Sequence, residues 1–175
     1  VREAFDAAIN FDKEEEHKYV SKPKKVIFIT GATGTMGQET MKQLLSRNNR
    51  FKTRILARPS EKNRQLLKKY MCPSLEVVWG DMADYDTIKK CVDGADYVLH
   101  IGAMVSPAAD KYPEKTLYTN IGSTLNIIKA IKEQQDPDKV HFAYVGTVAM
   151  TGSRLDPVQF GRIGDPMNPS FHDYY

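Results

Sequence analysis

The stretch Lys24-Lys25-Val26-Ile27-Phe28-Ile29-Thr30-Gly31-Ala32-Thr33-Gly34-Thr35-Met36-Gly37 decides how the rest of this chain is read. A short apolar strand runs straight into three glycines spaced three apart, and an amphipathic helix follows at once. A strand that passes into a helix through a turn nearly bare of side chains leaves backbone N–H groups and the positive end of the helix dipole facing open space. That arrangement suits a pyrophosphate. In this reading Gly31 permits the tight turn, Gly34 lets a phosphate approach the backbone, and Gly37 lets the helix pack closely on the strand.

Downstream, strand and helix alternate. Strands are predicted over 26–30, 53–57, 75–79, 97–101 and 140–145, each short, apolar and rich in β-branched or aromatic residues. Between them the first helix gathers Gly37, Met41, Leu44 and Leu45 on one face. The second, over 61–70, is highly charged and belongs at the surface. The third gathers Ile88, Cys91 and Val92 and ends at Gly94. In the fourth, Leu117, Ile121, Leu125, Ile128 and Ile131 form a long apolar stripe. Five strands with right-handed helical crossovers predict an α/β fold of Rossmann type, a doubly wound parallel sheet ordered 3-2-1-4-5 with helices on both faces. The glycine loop then falls at the switch point, where such folds bind ligands. Residues 1–23 read as a peripheral extension packed through Phe5 and Ile9, and 24–175 as the dinucleotide-binding domain.

Composition narrows the function classes. A chain of 175 residues fits one domain, and a net charge of +3 does not call for nucleic acid. The cluster Lys22-Pro23-Lys24-Lys25 reads as a solvated linker. No apolar run approaches the ~18 residues that cross a membrane, and no segment is built like a signal peptide. Cys72 and Cys91 have neither metal-ligand spacing nor a disulfide framework, so no metal site is expected and a reducing, cytoplasmic setting fits.

The spacing Gly31-x-x-Gly34-x-x-Gly37, preceded by Thr30, resembles the signature of the extended short-chain dehydrogenase/reductase family, which includes the NAD-dependent epimerase/dehydratase group. The resemblance continues in order along 24–175. It implies that the loop residues Gly31, Thr33, Gly34, Thr35, Met36 and Gly37 hold a dinucleotide. Trp79-Gly80-Asp81-Met82 looks like the family's adenine site, with Asp81 accepting from the adenine amino group and Met82 beside it. His100-Ile101-Gly102-Ala103 resembles the His-x-Ala-Ala segment, whose backbone at Ile101, Gly102 and Ala103 would line the cofactor. His100 itself reads as a packed structural residue. Asn120-Ile121-Gly122-Ser123-Thr124 is similar to the family's Asn-x-x-Gly-Thr helix, in which Asn120 would fasten helix to strand and organise the active site.

The end of the second strand bears on cofactor choice. NAD-dependent relatives carry an acid there for the ribose 2′-hydroxyl, whereas this chain has Leu56-Ala57-Arg58-Pro59-Ser60 with Lys62 and Arg64 close behind. A carboxylate would repel a 2′-phosphate, and a guanidinium can grip one in bidentate fashion. Arg58 therefore favours NADP, with NAD as the alternative.

Tyr144-Val145-Gly146-Thr147 resembles the family's motif after the fifth strand, with Thr147 in the position of the serine that bonds the substrate oxygen. The family's Tyr-x-x-x-Lys would begin at Tyr175, with Tyr174 as the alternative, so its lysine would follow the last residue. The 175 residues then correspond to the N-terminal, cofactor-binding part of a longer enzyme. Three readings stay open: an NAD(P)-dependent oxidoreductase acting on a carbonyl or alcohol of a small molecule, a sugar-nucleotide epimerase or dehydratase using tightly held NAD, and a non-catalytic dinucleotide sensor. Many relatives dimerise through the helix after the fourth strand and the one bearing the tyrosine, of which these residues include only the first, so the resemblance offers a homodimer as one assembly and leaves the oligomeric state open.

Overall fold

The computed structural model describes residues 24–147, 150 and 164. Residues 1–23, Tyr174 and Tyr175 lie outside the described residues. Within them the elements are β1 (Lys25–Thr30), α1 (Thr35–Leu45), β2 (Phe51–Ala57), α2 (Glu61–Lys68), β3 (Leu75–Trp79), α3 (Tyr85–Val92) and β4 (Tyr97–His100), followed by a single-turn helix α4 (Ala108–Lys111), α5 (Pro113–Lys132), a 3-10 turn (Pro137–Lys139) and β5 (His141–Tyr144). All strand pairs are parallel and the order is β3-β2-β1-β4-β5, as the alternation predicts. The single turn α4 has no counterpart in the sequence pattern.

Strand alternation sorts the core into two layers. On one face Phe28, Leu56 and Val98 pack against Ile88, Cys91 and Val92 of α3 and Ile127 and Ala130 of α5. On the other, Ile27, Ile29, Ile55 and Ala57 meet Met41 of α1 and Leu67 of α2. Local chemistry fixes the helix ends. Ser60 Oγ accepts from the Asn63 N–H at 3.2 Å at the start of α2, and Asp84 accepts from the Thr87 N–H and hydroxyl at the start of α3. Gly94, at φ 65°, turns the chain after α3. Arg54 of β2 crosses to that same end, donating to the carbonyls of Cys91 at 2.9 Å and Asp93 at 2.6 Å.

The apolar stripe of α5 meets this core only toward its C-terminal end, where Ile131 packs against it; its N-terminal part faces away. Leu117, Ile121 and Leu125 are about half exposed, and Tyr118 beside them is more exposed still, whereas Thr116, Thr119, Ser123, Ile127 and Ala130 are buried. A stripe of this kind ordinarily faces its own core. Here the sheet-facing side is built of small residues whose hydroxyls find local partners, Thr116 donating to the Tyr112 carbonyl at 2.8 Å and Ser123 to that of Asn120 at 3.3 Å. Among the described residues no helix is long and apolar enough to cross a membrane.

Candidate functional site

The chain turns one way from β1 through β2 to β3 and the other way through β4 to β5, so the switch point lies above the carboxyl ends of β1 and β4. The glycine loop occupies it. Gly31 sits at φ 70°, a conformation that side-chain-bearing residues rarely adopt. The Gly34 N–H donates to the Gly31 carbonyl at 2.9 Å, and Gly34 then starts α1 with no side chain capping it. The first N–H groups of α1 are thus left to a ligand, and no acidic residue stands in that turn to compete for them. A Cβ on Gly37 would collide with the Gly31 carbonyl oxygen and come within 2.6 Å of Ala32 Cα. Every glycine of the motif therefore has a steric or conformational reason except Gly34, where a Cβ would meet only the Gly31 oxygen at 3.3 Å. Openness at Gly34 is what close approach by a phosphate requires. The cradle fits a dinucleotide.

The loop after β4 closes one side. A Cβ on Gly31 would lie 2.6 Å from Gly102 Cα, so the two loops touch backbone to backbone. Asn120 of α5 holds this loop by both ends of its amide, Oδ1 accepting from the Met104 N–H at 2.8 Å and Nδ2 donating to the Met104 carbonyl at 3.0 Å. The fastening expected of Asn120 is therefore made to the loop that follows β4 rather than to the strand itself. Ile101 packs partly into the core beneath. His100 is buried, and burial pushes its pKa down to about 4, so the ring is neutral at physiological pH.

At the other side, β2 ends in Ala57 and Arg58. The Arg58 backbone carbonyl accepts from the Ser60 N–H at 2.8 Å and from Asn63 Nδ2 at 2.9 Å, which fixes the turn into α2. Its guanidinium is exposed and makes no ion pair among the described residues. Arg64, grouped with it in the sequence, is engaged elsewhere, its guanidinium 4.6 Å from the Trp79 ring centre. Asp81 Oδ1 accepts from the Ala83 N–H at 2.9 Å. That bond holds the carboxylate in a turn just past β3. Met82, expected at the adenine, is partly buried and packs its side chain partly against the core layer of α3 and α5.

Thr147 is half-buried and follows β5, just past which the Val145 N–H donates to the His100 carbonyl at 3.1 Å. It therefore lies at the same carboxyl edge of the sheet as the glycine loop. Tyr175, the expected acid–base group, falls outside the described residues. What the sequence reading missed is the role of Thr30. Its hydroxyl stands between His100 and Gly102, and the strand-end position in register with His100 was the available signal.

A doubly wound sheet with a bare glycine cradle at its switch point is the architecture of a dinucleotide-binding fold. Residues 27–171 match the model of the NAD dependent epimerase/dehydratase family, and the chain belongs to that family. It is 29% identical over 110 residues to a UDP-glucose 4-epimerase of Rickettsia massiliae (strain Mtu5), covering 61% of this chain and 32% of the relative. It is 32% identical over 111 residues to a UDP-N-acetylglucosamine 4,6-dehydratase (inverting) of Campylobacter jejuni subsp. jejuni serotype O:2, covering 63% of this chain and 33% of that one. The chain thus spans about a third of the length of these relatives. Among solved structures, the Bordetella bronchiseptica enzyme WbmH in complex with NAD+ superposes with a TM-score of 0.71 at 26% identity, over 87% of this chain and 48% of that one.

Proposed function

We propose that this chain is the cofactor-binding part of an NAD(P)-dependent enzyme that moves hydride to or from the carbon of an alcohol or carbonyl in a small-molecule substrate. The observation that carries the proposal is the cradle itself: Gly31 at positive φ, Gly37 closed against the loop, and uncapped N–H groups at the start of α1. The bound dinucleotide supplies hydride exchange at its nicotinamide. Backbone N–H groups over 31–37 hold the diphosphate, Asp81 accepts from the adenine amino group, and the backbone of Ile101, Gly102 and Ala103 lines the nicotinamide side. Thr147 donates a hydrogen bond to the substrate oxygen and fixes its position. Tyr175 gives or takes the proton at that oxygen.

Arg58 supports NADP as the cofactor and net oxidoreduction as the outcome. Its exposed guanidinium and the neighbouring Lys62 stand where NAD-dependent enzymes carry an acid, and a 2′-phosphate is the ligand that such a pair favours. The names of the relatives support a second reading, a sugar-nucleotide epimerase or dehydratase in which the hydride returns to the substrate. Their matched stretch covers about a third of their length, so it speaks to the cofactor more than to the sugar.

Titration calorimetry with NAD+ and NADP+ tests the common claim, and absence of binding by either overturns it. Arg58→Glu is expected to weaken NADP+ by about tenfold or more, ~1.4 kcal/mol, with NAD+ little changed. An unaltered preference removes the 2′-phosphate assignment. Net consumption of NADPH with a carbonyl substrate supports the oxidoreductase, whereas conversion of a UDP-sugar with no net change in cofactor supports the second reading.

The exposed side of α5 supports a homodimer as the assembly. Leu117, Ile121 and Leu125 lie one above another on that helix with Tyr118 beside them, and a second copy of the same helix would bury all four from water.

A further inference from the structure

We propose that His100 is a positioning residue of the dinucleotide pocket, acting through the Thr30 hydroxyl to set where Gly102 bears on Gly31. The proposal rests on the dinucleotide-binding reading above. It follows from the direction of each hydrogen bond around the ring.

His100 Nε2 lies 3.1 Å from Thr124 Oγ1 and 3.4 Å from Ser123 Oγ. Both hydroxyls already donate their single proton to the Asn120 carbonyl, at 2.8 Å and 3.3 Å. Nε2 therefore meets only lone pairs, and it must carry the ring proton. In a neutral imidazole Nδ1 is then a bare acceptor. It lies 2.6 Å from Thr30 Oγ1, so the Thr30 hydroxyl donates to it. With its proton aimed at His100, Thr30 Oγ1 presents a lone pair to the Gly102 N–H, which donates to it at 3.0 Å. One directed chain thus runs from the Gly102 amide through Thr30 and His100 to Thr124 and the Asn120 carbonyl on α5.

The end of this chain matters because there is no slack where it arrives. Thr30 immediately precedes Gly31, and a Cβ on Gly102 would come within 2.9 Å of Gly31 N and 3.1 Å of Thr30 Oγ1. The hydroxyl that anchors Gly102 therefore belongs to the residue that leads into the phosphate turn. If Thr30 loses its acceptor at Nδ1, its hydroxyl rotor is freed and the Gly102 N–H loses a fixed partner. The backbone contact between the two loops then relaxes, and the pocket wall with it. A ring that merely filled space would have no such dependence on one nitrogen.

Two substitutions separate the arms. In His100→Asn the amide oxygen reaches the place of Nδ1 and can accept from Thr30. In His100→Gln the amide nitrogen reaches the place of Nε2 and can donate to Thr124, leaving Thr30 without its acceptor. Both variants lose thermal stability, so stability does not distinguish the arms. Calorimetry with NAD+ and NADP+ does: His100→Asn is expected to keep the native Kd within about threefold and His100→Gln to weaken it by about tenfold. Thr30→Val should match the Gln loss with no further loss in the double variant, and Thr30→Ser should restore native binding. Equal losses in Asn and Gln, or native Kd in Thr30→Val, overturn the proposal. Nitrogen NMR of the native ring, with no ligand present, is expected to find the proton on Nε2; a proton on Nδ1 overturns it as well. Exchange protection of the Gly102 amide in the ligand-free protein should survive in Asn and fall in Gln, and the reverse pattern refutes the coupling. If the native protein binds neither dinucleotide, the functional reading fails, and Gly102 protection with the ring tautomer still decides the role of His100.

Discussion

Two glycine-to-alanine substitutions in helices should move stability in opposite directions. Gly37 lies inside α1 and Gly122 inside α5. Helix propensity alone makes both replacements favourable by about 0.5–1 kcal/mol, because alanine loses less backbone freedom on folding. At Gly122 no atom of the described residues beyond its chain neighbours and the adjoining helix backbone lies within 4 Å of an added Cβ, so that gain should appear in full. At Gly37 the added carbon would collide with the Gly31 carbonyl oxygen and stand 2.6 Å from Ala32 Cα and 2.7 Å from the Gly31 carbonyl carbon. Those are backbone atoms of the phosphate turn, and no rotamer change relieves them. Overpacking of this kind costs about 1–3 kcal/mol, which exceeds the propensity gain and leaves a net loss on the order of 1–2 kcal/mol. Relief requires α1 to tilt away from the turn, which carries its free N–H groups off the diphosphate, so Kd should rise by about tenfold or more. Urea unfolding measures the first effect and calorimetry with the dinucleotide the second. If Gly37→Ala shifts the urea midpoint as Gly122→Ala does and binds with the native Kd, the steric argument for the cradle is wrong.

Other substitutions probe the frame around the site. Arg54→Met removes two hydrogen bonds to carbonyls at the end of α3 and an ion pair to Glu76 at 3.2 Å; urea unfolding should report a loss of about 2 kcal/mol, and a change under ~0.5 would show that water replaces those bonds without cost. Burial raises the Asp96 pKa, but Lys25, at 2.6 Å, and the Val26 N–H, at 2.8 Å, outweigh it and hold the carboxyl below the usual carboxylate range. Its contribution is therefore present above about pH 4, the unfolded value, and lost as pH falls through the folded one, so Asp96→Asn should flatten the acid limb of a stability–pH profile. An acid limb of native slope in that variant would remove Asp96 from the account. Ile121→Glu should convert a dimer to a monomer in sedimentation velocity with the dinucleotide Kd unchanged, and a native protein that sediments as a monomer would refute the assembly proposed for α5.

The sheet order could be read from the sequence because buried parallel strands are continuous apolar runs, and 26–30 and 97–101 leave little else to propose. The glycine loop was legible for a related reason: Gly31 and Gly37 are required by backbone geometry, and backbone requirements leave a spacing. Side-chain roles were less accessible. Arg58, Lys62 and Arg64 are alike in sequence, and only the packing of Arg64 on Trp79 separates them. Met82 reads as part of a motif, yet its position past β3 turns its side chain partly into the core. The largest divergence is α5, where 3.6-residue periodicity finds an apolar stripe but carries no information on which neighbour it serves. Thr116 and Ser123 are buried instead because their hydroxyls bond within α5 or at its ends, and small side chains there, Thr119 among them, let the helix lie close to the sheet. That closeness is also what brings Thr124 and Ser123 within reach of His100. A leucine at position 123 would satisfy the helical pattern better, but it would hold α5 off the sheet and remove one of the acceptors that fix the imidazole proton. The polar face of α5 therefore reflects the requirements of the site more than those of the core.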